Sequence, residues 1–211
     1  MKNISLLIIL CALFFISCKN DAQQVPSNAH EITPLQPGQI IPGGELKNHR
    51  NQPVDLQELT SEGISALFFY RGGWCPYSVT QLHQIANIKD RLTARGVQII
   101  AISPDQPESL ERYVSENELG YTLLSDSNMS VSKNFGVAFS VDQEEVDSLK
   151  EAGMDIEEHS GYNHNLLPVP SIFITGRDGR IYYQFSNPDH TERISEEALI
   201  VAVNEIIELT H

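Results

Sequence analysis

Cysteine is nearly absent from this chain, with three among 211 residues, Cys11, Cys18 and Cys75. That scarcity excludes the disulfide-dense scaffold of small exported domains, so stability must come from a packed core. Positive charge is equally thin: Lys and Arg number 14 against 28 Asp and Glu, a net charge of -14. Such a surface repels phosphates and anionic headgroups, which disfavours nucleic-acid binding. Long apolar runs are missing beyond the N-terminus, and the run there, Leu6 to Ile16, is too short for an ordinary transmembrane helix. There is no internal repeat and no low-complexity block. His159 and His164 lack further ligands at a fitting spacing, so no metal site and no cofactor are expected.

What is present begins with targeting. Lys2 is the sole charge ahead of the apolar run, which predicts a secretory signal peptide over residues 1–17. Its ending, Phe15-Ile16-Ser17-Cys18, resembles the lipobox of bacterial lipoproteins, with Phe15 departing from the usual Leu. That resemblance implies that Cys18 becomes the lipidated N-terminus, the alternative being an uncleaved anchor. Residues 18–38 are polar and Pro-containing, which suits a tether. The expectation is an exported, membrane-anchored lipoprotein of a bacterial cell envelope, attached through its lipid alone. With Cys11 removed and Cys18 acylated, Cys75 is the one free thiol.

Residues 39–211 are enough for one domain with a sizeable core. The segment GGELKNHRNQPVDLQEL reads as a hairpin followed by a helical turn. Strand-length apolar runs, Ile64 to Tyr70 and Val97 to Ser103, alternate with a helix from Pro76 to Ala94, an arrangement that predicts parallel strands with crossover helices. Asp105 and Glu108 form a capping-box pattern opening a second helix that ends at Gly120. A short strand near Leu124, a helix ending at Gly136, an inserted acidic helix within 142–155, a hairpin turning at Asp178-Gly179 and a closing helix over 195–209 complete the reading.

The segment FFYRGGWCPYS carries the chemistry: a buried strand runs through a Gly-Gly turn and delivers Cys75 to a helix start. Free helix N–H groups and the positive end of the helix dipole favour thiolate over thiol there, and Arg71 adds to this. Pro76 at the first helical position gives up no needed hydrogen bond. Trp74 and Tyr77 either form an apolar rim for a partner or pack the helix start.

With FYRGGWCPYS, Ile102-Ser103-Pro104-Asp105, Leu124-Ser125-Asp126, Pro168 to Ile174, Arg177 to Ile181 and Asn187 to Arg193 in this order, the chain resembles the peroxiredoxin-like branch of the alkyl hydroperoxide reductase and thiol-specific antioxidant family, within the thioredoxin-like superfamily. The resemblance implies an α/β thioredoxin fold, a three-layer α/β/α arrangement around a mixed sheet with an N-terminal hairpin extension. It also implies a cis peptide bond before Pro170 beside Cys75, and Arg193 near the thiolate.

Two departures shape the expected activity. Ser78 stands where many relatives carry the second cysteine of C-x-x-C; its hydroxyl can bond to the thiolate but cannot resolve a mixed disulfide. An oxidised Cys75 therefore needs an external thiol, a thioredoxin-like protein or a small thiol, or a second protomer in a homodimer. Typical peroxiredoxins also carry Thr or Ser three residues before the cysteine and Pro seven before, where this chain has Gly72 and Phe68. Tyr70, Arg71 and Arg193 are the candidate substitutes for the missing hydroxyl. The leading expectation is a single-cysteine antioxidant oxidoreductase that reduces hydroperoxides. The alternatives are a monothiol disulfide oxidoreductase acting on exported proteins, and a redox sensor or binding module without turnover.

Overall fold

The computed structural model describes residues 25–210; the expected signal peptide, Cys18 and the start of the tether lie outside them. Two runs of alternating apolar residues set up the centre. In β3 (Ile64–Phe69), Ala66 and Phe68 point to one face while Leu67 and Phe69 point to the other, and β4 (Val97–Ser103) divides Ile99 and Ala101 from Ile100 and Ile102 in the same way. The two strands pair in parallel, as the crossover through α2 (Pro76–Thr93) requires. β5 (Thr122–Ser125) adds to β4 in parallel after α3 (Pro107–Glu116), while β8 (Ser171–Thr175) and β9 (Ile181–Ser186) add antiparallel on the other side.

The N-terminal hairpin, β1 (Glu45–Asn48) and β2 (Pro53–Asp55), is part of this sheet, because β1 pairs antiparallel with β5. The order is β2-β1-β5-β4-β3-β8-β9, a mixed seven-stranded sheet. One face is covered by α2, α3 and α7 (Glu196–Thr210) through Leu82, Ile85, Leu110, Leu199 and Val203. The other is covered by α1 (Leu56–Ser61) and α4 (Ser130–Asn134) through Leu56, Val131 and Phe135. Phe69, Phe135 and Phe173 meet at centroid distances of 4.9 to 5.7 Å beneath that second layer. This is the expected three-layer thioredoxin fold.

Two readings of the sequence need correction, and a third needs an addition. Asp105 does not cap α3; Gln106 holds that position without a side-chain bond, because the buried Asp105 carboxylate is taken up by Gly73 and Ser103. The inserted acidic stretch forms the expected helix, α5 (Gln143–Glu151), and is followed by a short helix the sequence did not reveal, α6 (Ile156–Ser160), both set between the strands of a small antiparallel pair, β6 (Ala138–Ser140) and β7 (Leu166–Pro168). Residues 25–38 lie on the domain instead of standing off it: the Ser140 N–H donates to the Pro26 carbonyl, Leu35 N–H donates to the Phe135 carbonyl, and Val25 packs on Met129, Ala138 and Leu166. Gly136 permits this close approach, since at φ 70° a Cβ there would sit 2.1 Å from the Thr33 carbonyl oxygen.

Candidate active site

Chain direction delivers Cys75. Beyond β3, Tyr70 N–H still donates to the Ile102 carbonyl at 3.0 Å, after which the chain leaves the sheet and Cys75 N–H closes back on the Gly72 carbonyl at 3.2 Å. Cys75 is the residue flanking the start of α2, with Pro76 at the first helical position and no acidic residue in the first turn to offset the helix dipole. The thiol is 2 % exposed.

Two arginines converge on it. Arg71, in the loop itself, is 4 % exposed and places its guanidinium 5.4 Å from the centre of the Trp74 ring. Burial lowers its pKa from the ordinary value, and the charges of Cys75 and Glu145 oppose that shift. Arg193 arrives from the loop before α7, where its Nε donates to Gln81 Oε1 at 2.9 Å and Nη1 to the carbonyls of His190 and Glu192. Burial lowers it too, against the pull of Cys75. Each guanidinium keeps one buried nitrogen with no acceptor, Nε of Arg71 and Nη2 of Arg193. Such donors are costly to bury unmatched, and they suit an anion forming at Cys75.

The Gly-Gly turn is held from β4. Asp105 Oδ2 accepts from Gly73 N–H at 2.8 Å and from the Ser103 hydroxyl at 2.9 Å, while Oδ1 is buried without a partner. Burial pushes the Asp105 carboxyl up, partly offset by those two bonds, and burial with the neighbouring Asp105 pushes the Tyr70 phenol well above its ordinary value. A neutral phenol is thus what Tyr70 offers. The structure also explains why no hydroxyl residue stands at position 72. At φ 142°, a Cβ on Gly72 would lie 2.2 Å from Trp74 Nε1 and 2.9 Å from Asp105 Oδ1. The Trp74 indole has taken the space.

Tyr70, Arg71, Trp74, Cys75, Pro76 and Ser78 share one loop and helix start, and Arg193 joins them from the far end of the chain. Trp74 packs with Val141, Val146, Ile156 and Leu167 of the insertion, whereas Tyr77 is exposed with its ring edge-to-face on His190 at 5.6 Å. Ser78 does not bond to the thiol, since its buried hydroxyl has no hydrogen-bond partner. Pro170 is preceded by a trans peptide bond, as no cis bond occurs among the described residues. The backbone there is already tied down in the ordinary isomer: Val169 N–H donates to the Val137 carbonyl, and the Pro170 carbonyl accepts from Asn187 N–H. Pro170 nonetheless borders a cavity of about 280 Å³ with Arg71, His190, Glu145 and Asn28.

Sequence patterns assigned no role to Glu145, His190 or Gln81; the contacts of Glu145 with Arg71 and of Gln81 with Arg193 span long chain separations, and His190 meets Tyr77 across the fold. Glu145 Oε1 lies 3.4 Å from Arg71 Nη2. His190 sits against both arginines, and burial with their charge lowers it from its usual value, leaving a neutral imidazole at neutral pH. No cluster of ligands that could hold a metal ion is found among the described residues.

With this geometry in hand, the relatives are informative. A model of the AhpC/TSA family matches residues 37–184. The chain is 31% identical over 106 residues to Peroxiredoxin Bcp of Escherichia coli, covering 50% of this chain and 67% of that one. It is 26% identical over 171 residues to a 1-Cys peroxiredoxin of Medicago truncatula, covering 78% of this chain and 70% of that one. In fold it is similar to Peroxidoxin BcpB from Mycobacterium tuberculosis, with a TM-score of 0.62 at 19% identity over 82% of this chain and 98% of that one. It is similar also to reduced Prx3 of Vibrio vulnificus in complex with H2O2, with a TM-score of 0.64 at 17% identity over 80% of this chain and 99% of that one. A thiol at a helix start, two arginines beside it and a match across most of the domain lead to one conclusion: this chain is an oxidoreductase and belongs to the AhpC/TSA family.

Proposed function

We propose that the protein is a single-cysteine, thiol-dependent peroxidase. The Cys75 thiolate attacks one oxygen of a hydroperoxide, the O–O bond breaks, and the departing alkoxide or hydroxide takes a proton to leave as alcohol or water. Cys75 is left as sulfenic acid. One external thiol then displaces water to form a mixed disulfide, and a second releases Cys75 as thiol together with the donor's disulfide. The observation that carries this reading is the pair of unmatched buried donors, Arg71 Nε and Arg193 Nη2, on the two guanidiniums that respond to the charge of Cys75. They are suited to an anionic sulfur and to a leaving oxygen, whose charge grows as the O–O bond breaks.

Burial of the thiol to 2 % favours a small oxidant over a disulfide on a protein surface. Cys75 is the free cysteine among the described residues, and Ser78 occupies the position one helical turn beyond it, which supports an external thiol as the reductant. Lipidation at Cys18 would set this chemistry at a bacterial envelope membrane, a placement that rests on the N-terminal sequence pattern alone.

The test is direct. The reduced protein is given one equivalent of hydrogen peroxide, and a dimedone adduct on Cys75 is followed by mass spectrometry. Adduct formation at least 100-fold faster than for free cysteine at the same pH is expected, with none in Cys75→Ser. A rate no better than the free thiol's would overturn the reading.

A further inference from the structure

Helix α2 carries more than the thiol at its start. Tyr77 and Gln81 lie four residues apart on it, hence on one face, and the connection between β9 and α7 is laid along that face at both points. The His190 ring meets the Tyr77 ring edge-to-face at 5.6 Å, and Arg193 Nε donates to Gln81 Oε1 at 2.9 Å. Gln81 is 8 % exposed, so this bond joins a buried amide to a guanidinium across 112 residues of chain. The amide oxygen, and not its NH2 group, must face Arg193, because a guanidinium only donates.

The bonds of Arg193 divide its nitrogens by task. Nε is taken by Gln81, and Nη1 by the carbonyls of His190 and Glu192, while Nη2 is buried with no acceptor. A guanidinium is a rigid plane, so holding it at Nε and Nη1 fixes where Nη2 points. The two carbonyls belong to the arginine's own loop and would move with it. Of these acceptors, Gln81 is the one that ties the group to another element, the helix that begins at Cys75, whose charge acts on Arg193.

We infer that Gln81 is a positioning residue for the peroxide reaction: it registers Arg193 against α2 so that Nη2 is the donor presented to the oxygen that leaves as the O–O bond breaks. The inference rests on the reading of Cys75 as the thiol that attacks peroxide. Gln81 acts through Arg193 and not on the sulfur. Without its oxygen, Arg193 Nε would be left with no acceptor, and the guanidinium would turn to find one, taking Nη2 out of line.

The experiment is a double-mutant cycle in the full chain. The rate at which hydrogen peroxide converts Cys75 to sulfenate is measured in the parent, Gln81→Met, Arg193→Met and the double variant, with thermal melts confirming that each folds. Gln81→Met, which keeps the volume and removes the acceptor, is expected to lower the rate roughly 10-fold, whereas Gln81→Glu, which keeps an acceptor, should stay within about threefold of the parent. In the Arg193→Met background, Gln81→Met should change the rate by less than about twofold, since no guanidinium is left to position. A general packing defect would instead slow both backgrounds alike and would not be rescued by Glu. If Gln81→Met does not fold, Gln81→Asn, which draws the acceptor back by one methylene, takes its place in the cycle. A parent-like rate in Gln81→Met, equal losses with and without Arg193, or a loss in Gln81→Glu as large as in Gln81→Met overturns the inference and leaves the peroxidase reading standing. A parent that forms no sulfenate overturns the peroxidase reading, and the inference with it.

Discussion

At the scale of single residues, Gly72 and Asp105 show how tightly the loop before Cys75 is packed. The indole of Trp74 fills the volume that a side chain at position 72 would need, and the positive φ there adds backbone strain for any other residue. Restoring the hydroxyl with Gly72→Thr is therefore expected to destabilise the fold by about 2 to 5 kcal/mol, from overpacking and backbone strain together. It should also lower the peroxide reaction, readable by urea denaturation and by sulfenate formation; a variant of unchanged stability would show that Trp74 is free to move aside. Cys75 was legible in the sequence because a Gly-Gly turn, a proline and a helix start surround it within a few residues. Asp105 was misread for the opposite reason. Its cap-like spacing is local, but its partner Gly73 is brought to it only when β3 and β4 pair.

At the scale of elements, periodicity identified the long strands and helices, whose apolar faces repeat over several turns. It did not reveal β6, β7 or α6, each at most five residues long. The N-terminal segment was obscured by composition: its polar residues suggest a tether, while its attachment runs through backbone groups that carry no side-chain signal. Removing residues up to Gln36 is expected to cost about 2 to 4 kcal/mol, since two backbone bonds to Phe135 and Ser140 and the packing of Val25 and Leu35 are lost together. Ser27, Asn28 and Ala29 would leave the wall of the cavity beside Arg71 as well. Chemical denaturation of the shortened chain checks this, and unchanged stability would show that the segment is merely resting on the surface.

For the whole molecule, the net charge of -14 sets the pH response. Burial pushes the Asp126 carboxyl up to about 6, although it accepts from the N–H groups of Val131 and Ser132 at the start of α4. An unfolded Asp titrates near about 3.9, so between these values the folded state holds the proton more tightly. The stabilisation is fully present below the unfolded value and is lost as pH rises through about 6. Relief of carboxylate repulsion on acidification acts in the same direction. Melting temperature is expected to be higher at pH 5.5 than at pH 7.5, and Asp126→Asn should flatten part of that slope; a melting temperature that rises towards pH 7.5 would contradict it. The sheet order has a temporal side as well. Phe69, at the end of β3, pairs with Ser171 of β8, and Arg193 lies further still along the chain. A chain made from its N-terminus therefore produces Cys75 long before the strand and the arginine that enclose it, so the nascent thiol passes through a period without its shelter.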